Sequence, residues 1–160
     1  MANHRYTAID LFSGAGGFST GLEWAGFDIE WAADWDEKAA KTYQHNHPNT
    51  EFASEDLAKF DPPDLDHDEP LDLIAGGPPC PTFSVIGRAK LNSIDGREVT
   101  EDSRHQLWRD YVRYVDHYQP RAFVMENVKG MYSAENDAGQ RVLPIILDEM
   151  RDIKTENGYL

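Results

Sequence analysis

The sequence predicts an α/β protein built on a mostly parallel sheet with crossover helices. Short apolar runs alternate with helical patterns along the chain, the signature of such a sheet. The first run ends in a glycine cluster, Ser13-Gly14-Ala15-Gly16-Gly17, of the kind that joins a strand tightly to a helix. Two later runs end abruptly, one in Gly76-Gly77-Pro78-Pro79-Cys80 and one in Glu126-Asn127-Val128, which in a parallel sheet land on the same carboxyl edge as the glycine cluster.

Residues 6–12 read as the first strand, and a helix follows through Leu22 and Trp24 with Gly26 as its stop. Residues 27–33 form a second strand. Asp36 is placed to cap a helix through Ala39, Ala40 and Tyr43, which Pro48 ends. Residues 50–56 offer a weak third strand, and residues 61–70 form a polar loop punctuated by Pro62, Pro63 and Pro70. Residues 71–75 are a buried fourth strand. The polar stretch 82–100 is long enough to be a mobile functional loop. A helix over about 104–118 puts Leu107, Tyr111, Tyr114 and Val115 on one face, and Pro120 follows it. Residues 122–125 make a fifth strand, and a last helix holds Val142, Leu143, Ile146, Leu147 and Met150.

A chain of 160 residues, 40% hydrophobic with nine prolines, is one globular domain rather than a disordered segment. No run of about 18 apolar residues occurs, so no membrane-spanning helix is expected, and the opening residues lack a signal-peptide layout. The single cysteine, Cys80, has no intramolecular disulfide partner, and a reducing cytoplasm is the expected setting. Against 15 Lys and Arg stand 29 Asp and Glu, a net charge of −14. That balance argues against gripping phosphates with this chain alone. Two readings reconcile it with a nucleic-acid partner. The favoured one is a salt-loving source, where self-repulsion is screened over about 3 Å at 1 M salt. The other places the basic surface on a segment outside this chain.

The first strand-turn-helix suits a nucleotide-like ligand, because glycines let the backbone approach closely at the sheet edge. The dinucleotide fingerprint G-x-G-x-x-G fails, since its third position is Ser19, and no Lys-bearing phosphate loop is present. A cofactor without a pyrophosphate is therefore expected. Asp34 lies 20 residues beyond Gly14 at the end of the second strand, where an acid accepts both ribose hydroxyls, and Trp35 is placed to stack on an adenine. Each piece also has a purely structural reading: a tight turn, a helix cap, a core tryptophan. Their order and spacing favour the ligand.

A lone cysteine is ordinarily a small buried hydrophobe. The prolines around Cys80 take it out of regular structure, and the Gly-Gly pair ends its strand at the edge where the glycine turn lies, a position for a nucleophile. A helix terminus or Arg88 would favour its thiolate. Glu126, from the next strand's end, supplies a carboxyl that a partly dry pocket beside a thiolate would keep protonated and able to donate. A helix-capping role is its structural alternative.

In this order the segments resemble the cytosine-5 DNA methyltransferase family. Asp10-Leu11-Phe12-Ser13-Gly14-Ala15-Gly16-Gly17-Phe18 looks like its first cofactor motif, and Asp34-Trp35 its ribose and adenine contacts, although Glu is frequent at the first of these. Asp56-Leu57 is similar to the short motif whose Asp meets the adenine amino group. Gly77-Pro78-Pro79-Cys80 with Phe83-Ser84 resembles the nucleophile loop, and Asp102-Ser103-Arg104 with Leu107 and Glu126-Asn127-Val128 resemble the two motifs that follow. One departure is Pro81-Thr82, where Gln and a small or polar residue are common.

The resemblance implies a Rossmann-like S-adenosylmethionine-dependent methyltransferase fold, incomplete, with its first five strands only. It carries cofactor contacts onto Phe12, Ser13, Gly14, Ala15, Gly16, Gly17, Asp34, Trp35, Asp56, Leu57, Pro78 and Leu107, and no metal. Double-stranded DNA is the implied substrate, with its cytosine flipped out of the stack. Cys80 attacks C6 while Glu126 holds N3, Asn127 and Pro79 shape the pocket, and Phe83, Ser84 and Arg88 lie on the substrate loop. The family pattern continues past a Gly-Tyr like Gly158-Tyr159 into an arginine-bearing catalytic motif, a target-recognition region and a final helix. Residues 1–160 are therefore expected to be the N-terminal part of a catalytic domain: a fragment, a truncated product, or a subunit whose partner chain carries the remaining motifs. The alternatives are an inactive remnant or cofactor-binding subunit, and a tRNA cytosine-5 methyltransferase.

Overall fold

A computed structural model of the chain describes residues 5–65, 70–79, 107–136 and 138–153. The expected loop over 82–100 lies outside the described residues. The chain divides into two compact units, Met1–Gly77 with His117–Glu126, and Pro78–Asp116 with Asn127–Leu160.

The first unit is a five-stranded sheet in the order β3-β2-β1-β4-β5, with every pairing parallel. Its strands are β1 (Tyr6–Leu11), β2 (Phe27–Ala33), β3 (Glu51–Ala53), β4 (Leu73–Gly76) and β5 (Ala122–Met125). The central strands are rich in buried apolar residues because both faces of a parallel sheet are covered. Ala8, Ile9, Leu11, Trp31, Ala32, Ile74 and Ala75 are accordingly buried. The order reverses at β1, from which the chain first builds outward through β2 and β3 and then returns to β4 on the other side. An irregularity between Ala8 and Ile9 leaves Glu30 of β2 as the extra residue.

Helix α1 (Gly17–Trp24) ends at Ala25 with Gly26 next, as expected. Helix α2 (Glu37–Asn46) is capped by Asp36, whose Oδ1 accepts from the backbone N–H of Lys38 at 2.8 Å and of Ala39 at 3.1 Å. The third strand is three residues long rather than seven. Beyond Ala53 the Asp56 carbonyl accepts the N–H groups of Lys59 and Phe60, so the chain turns instead of extending. At the amino edge of the sheet Asp72 is buried; its Oδ2 accepts the Thr7 N–H at 2.9 Å and its Oδ1 faces Arg121 at 3.0 Å. That carboxylate ties the approaches to β1, β4 and β5.

The second unit holds most of α3 (Leu107–Tyr118) and all of α4 (Val142–Arg151). In α3 the buried positions are Trp108, Tyr111, Tyr114 and Val115. Leu107, expected on that face, is half-buried, because the stripe starts one residue later at Trp108. Helix α4 buries Val142, Ile146 and Met150 at a four-residue spacing and packs on a 3-10 turn over Lys129–Ser133, from which Met131 and the following Ala134 are buried. Leu147 points to solvent instead, since it lies off that spacing. Among the described residues no helix is long and apolar enough to cross a membrane.

Candidate active site

The last residues of the five strands form one row. Ala53 pairs with Ala33, Ala33 with Leu11, Leu11 with Gly76, and Gly76 with Met125. The residues that follow, Ser54, Asp34, Phe12, Gly77 and Glu126, therefore leave the sheet side by side. Hydrogen bonds extend the ladder one step: Ser13 N–H to Ala33 O at 3.0 Å, Asp34 N–H to Ala53 O at 3.2 Å, and Glu126 N–H to Gly76 O at 2.9 Å. The β1/β4 boundary inside this row is the topological switch point, where ligands of open α/β sheets bind.

At the end of β1 Phe12 takes a left-handed backbone, φ 56°, unusual for a bulky side chain and the kind of strain that functional turns store. The turn then runs through Gly14, φ 54°, to Gly16, φ 94°, which stands as N-cap of α1 without a capping side chain. Gly16 is also a close approach. A Cβ there would lie 2.4 Å from His47 Nε2 and 3.1 Å from the Tyr43 ring.

A buried polar network lies under the turn. Asp10 is fully buried in β1, and its Oδ2 accepts the Ser19 backbone N–H at 3.0 Å and the Ser19 hydroxyl at 2.7 Å. Ser19 is the third residue of α1, so Asp10 supplies from the strand the cap that Gly16 lacks. Since the Ser19 proton goes to Asp10, the Tyr43 hydroxyl is the donor in its 2.6 Å bond to Ser19 Oγ. Beside it, buried His47 places Nε2 3.3 Å from Thr20 Oγ1 and Nδ1 3.1 Å from Glu23 Oε1. Burial pushes the Asp10 carboxyl up to about 6, against the two Ser19 bonds, and pushes the Tyr43 hydroxyl up to about 12. Asp10 Oδ1 is buried with no hydrogen-bond partner.

Sequence reading missed this network. Its signals were an Asp inside an apolar strand and a Ser where the dinucleotide fingerprint wants its third glycine. That Ser carries both bonds to Asp10.

Asp34 is half-buried, with Oδ2 accepting the Gly14 N–H at 2.9 Å and Oδ1 the Asp36 N–H at 2.8 Å. It braces the glycine turn, and each oxygen retains a second acceptor site for a ligand hydroxyl. Trp35 is 65% exposed, which removes the core reading of this residue. Asp56 Oδ1 accepts the Ala58 N–H at 3.2 Å and Oδ2 pairs with Lys59 at 3.0 Å, while Leu57 is buried. Added Cβ atoms at Gly14 and Gly17 would meet nothing within 4 Å, so the turn presents open backbone. An exposed indole, a braced carboxylate with spare acceptor sites and open glycine backbone fit a nucleoside-bearing group. Among the described residues no cluster of His, Cys, Asp and Glu is disposed to hold a metal ion.

On the other side of the switch point Gly77 stands next to Glu126: a Cβ at Gly77 would come 3.1 Å from Glu126 Oε2. The Glu126 side chain is exposed. In the second unit Pro78 is buried, Pro79 exposed and Leu107 half-buried at the start of α3. There Asn127 Oδ1 accepts the Val128 N–H at 2.8 Å, and its buried Nδ2 has no partner among the described residues. Cys80, Phe83, Ser84 and Arg88, with Pro81, Thr82 and the 102–104 segment, lie outside the described residues.

A five-stranded parallel sheet whose order reverses at β1, with an open glycine turn at that strand's carboxyl end, is an α/β architecture of the nucleotide-binding class. Residues 6–159 match the family model for C-5 cytosine-specific DNA methylase, and the chain belongs to that family. It is 39% identical over 146 residues to the Type II methyltransferase M.DdeI of Desulfomicrobium norvegicum, covering 91% of this chain and 33% of that protein. It is 40% identical over 136 residues to the Type II methyltransferase M.NgoPII of Neisseria gonorrhoeae, covering 84% and 37% respectively. Among crystal structures, it is similar to a protein described as a DNA modification methyltransferase encoded within an E. coli prophage. That likeness has a TM-score of 0.67 and 31% identity over 90% of this chain and 37% of the other. A mutant of DNMT2 from Spodoptera frugiperda, 21% identical with a TM-score of 0.62, shares the fold over 92% of this chain and 41% of its own. The chain spans about a third of the length of the curated relatives it matches.

Proposed function

We propose that residues 1–160 are the cofactor- and cysteine-bearing part of a DNA cytosine-5 methyltransferase, acting on cytosine in double-stranded DNA with S-adenosylmethionine as donor. The observation that carries this reading is the in-register row of strand ends, which brings the glycine turn, Asp34, Gly77 and Glu126 to one edge. Cys80 follows Gly77 by three residues, a covalent reach of at most about 10 Å.

In this reading Phe12 to Gly17 would receive the cofactor on open backbone, Asp34 would accept the ribose hydroxyls, Trp35 would stack on the adenine and Asp56 would meet its amino group, with Leu57, Pro78 and Leu107 as the further cofactor contacts. When bound, S-adenosylmethionine supplies an electrophilic methyl group. The chain's residues do the rest. The Cys80 thiolate adds to C6 of the flipped cytosine, forming an S–C6 bond and moving the ring electrons toward C5 and N3. Glu126 holds N3 by donating a proton or hydrogen bond, which makes C5 nucleophilic. Once C5 is methylated, a base removes the C5 proton and the electron pair expels Cys80 as thiolate. Asn127, with its buried unpartnered amide, and Pro79 shape the base pocket, and Phe83, Ser84 and Arg88 line the substrate loop. The target-recognition region and the arginine-bearing motif belong to a further segment or a partner chain.

The test is methyl transfer from labelled S-adenosylmethionine, by the full chain alone and together with a chain bearing the remaining family motifs. Duplex DNA and tRNA are offered in competition. Appearance of 5-methylcytosine in DNA supports the reading, and methylation of tRNA in preference would replace it with an RNA substrate. Cofactor binding without transfer in any combination would reduce the chain to a non-catalytic binding subunit.

A further inference from the structure

The glycine turn is held from two sides. From outside, Asp34 accepts the Gly14 N–H and Ala33 O accepts the Ser13 N–H. From beneath, the support comes from α2 and the residue after it, Tyr43 and His47, neither of which lies on the exposed edge. Their rings pack against each other with centroids 4.7 Å apart, and Tyr43 packs on Phe52 of β3 at the same separation. The His47 ring occupies the space a side chain at position 16 would need. Its nitrogens meet Thr20 and Glu23, both on α1, and the Thr20 hydroxyl in turn donates to Gly16 O at 2.9 Å. The Tyr43 hydroxyl reaches Ser19, and through it Asp10. Three points of the turn and first helical turn, Gly16, Ser19 and Thr20, thus rest on two side chains from outside the strand-turn-helix.

We propose that Tyr43 and His47 are positioning residues for the cofactor turn, holding Gly16 and the start of α1 from beneath so that the open backbone above keeps the shape its ligand needs. The consequence for S-adenosylmethionine rests on the reading under Proposed function; the consequence for the turn itself does not. The left-handed backbone at Phe12 says why an external support is required, because a bulky side chain does not favour that conformation by itself. The orphaned oxygen of Asp10 adds to that requirement, because a buried acceptor of this kind persists only where its surroundings over-determine it.

Tyr43→Phe removes only the hydroxyl and keeps the ring against His47 and Phe52, so it isolates the bond to Ser19. His47→Gln removes the ring from under Gly16 and keeps a polar end for Thr20. In each full-chain variant, amide hydrogen exchange without ligand is compared with wild type, and S-adenosylmethionine affinity is measured by calorimetry. The expected result is exchange about tenfold faster at the amides of residues 14–19, with β4 amides 73–76 unchanged, and affinity weaker by about tenfold. Unchanged exchange at the turn would overturn the proposal. So would an equal rise in β4, which would make both residues ordinary core. Faster exchange at the turn with wild-type affinity would overturn the link to the ligand. Wild type that binds no S-adenosylmethionine, alone or together with a chain bearing the remaining family motifs, with the exchange result intact, would leave the positioning role standing and sink the cofactor assignment instead.

Discussion

Gly77 and Glu126 are neighbours across the β4/β5 edge, and the space that Gly77 leaves empty is where the Glu126 carboxyl rests, 3.1 Å from the place a Cβ would take. The row of paired strand ends, Gly76 against Met125, enforces that adjacency. Two chain segments with proposed catalytic roles, one running on to Cys80 and one carrying Glu126, are therefore matched by a single missing methyl group.

Gly77→Ala should shift the Glu126 carboxyl by a few tenths of an ångström without unfolding the sheet, because the contact is with the far end of a flexible side chain. Single-turnover methyl transfer is expected to fall about tenfold, with S-adenosylmethionine affinity unchanged. Rapid-quench kinetics and calorimetry on the same preparation check both halves.

Trp35→Ala should weaken S-adenosylmethionine binding by about tenfold, the stacking contribution of one exposed indole. Since the side chain is 65% exposed, the melting temperature should hardly move. Tryptophan fluorescence of wild type should be perturbed on cofactor addition, and the variant should lose that part of the signal.

Asp10 binds its proton more tightly in the folded chain than in the unfolded one, because burial lifts its carboxyl from 3.8 to about 6. Its contribution to stability therefore falls as pH rises between those values. Below about 4 both states are protonated and nothing is lost; above about 6 the folded state bears a buried charge that costs about 3 kcal/mol. Asp10→Asn removes this titration while its amide oxygen still accepts from Ser19. Urea midpoints from pH 4 to 7 should show wild type losing stability relative to the variant as pH rises, with the difference settling above about 6.

Asp72→Ala should destabilise the chain by about 1 kcal/mol, since it removes the acceptor of the half-buried Thr7 N–H and the partner that the Arg121 guanidinium has in the buried Asp72 carboxylate. The site lies at the amino edge, away from the glycine turn, so affinity for S-adenosylmethionine in the folded protein should not change. Denaturant midpoints at constant slope test the first statement and calorimetry the second.

Much of the fold was legible because its signals are local. Residues 71–75 read as a strand buried on both faces, and the observed strand, Leu73–Gly76, begins two residues later; Asp36 reads as a cap and Gly26 as a stop, and both stand where expected. The edge residues of the site were legible for the same reason: a parallel strand ending in an unusual residue has only one edge to deliver it to. What escaped was set by partners distant in sequence. Asp10 entered the sequence reading only as the first residue of a cofactor motif, and nothing local says that Ser19 and Tyr43 are its company. His47 looked like the residue before a helix-ending proline, yet it fills the space under Gly16. Residue type also gave no warning that Phe12 would bear a left-handed backbone or that Trp24 would be among the exposed large side chains.

The proposed chemistry stands on a covalent bond between Cys80 and a cytosine. Duplex DNA carrying 5-fluorocytosine blocks the final loss of a proton from C5, so the adduct should accumulate. With S-adenosylmethionine present and the remaining family motifs supplied, denaturing mass spectrometry should find the chain joined to the methylated strand through Cys80, and Cys80→Ala should give no adduct. A bond at another residue, or wild type free of adduct while it produces 5-methylcytosine in ordinary DNA, would contradict it.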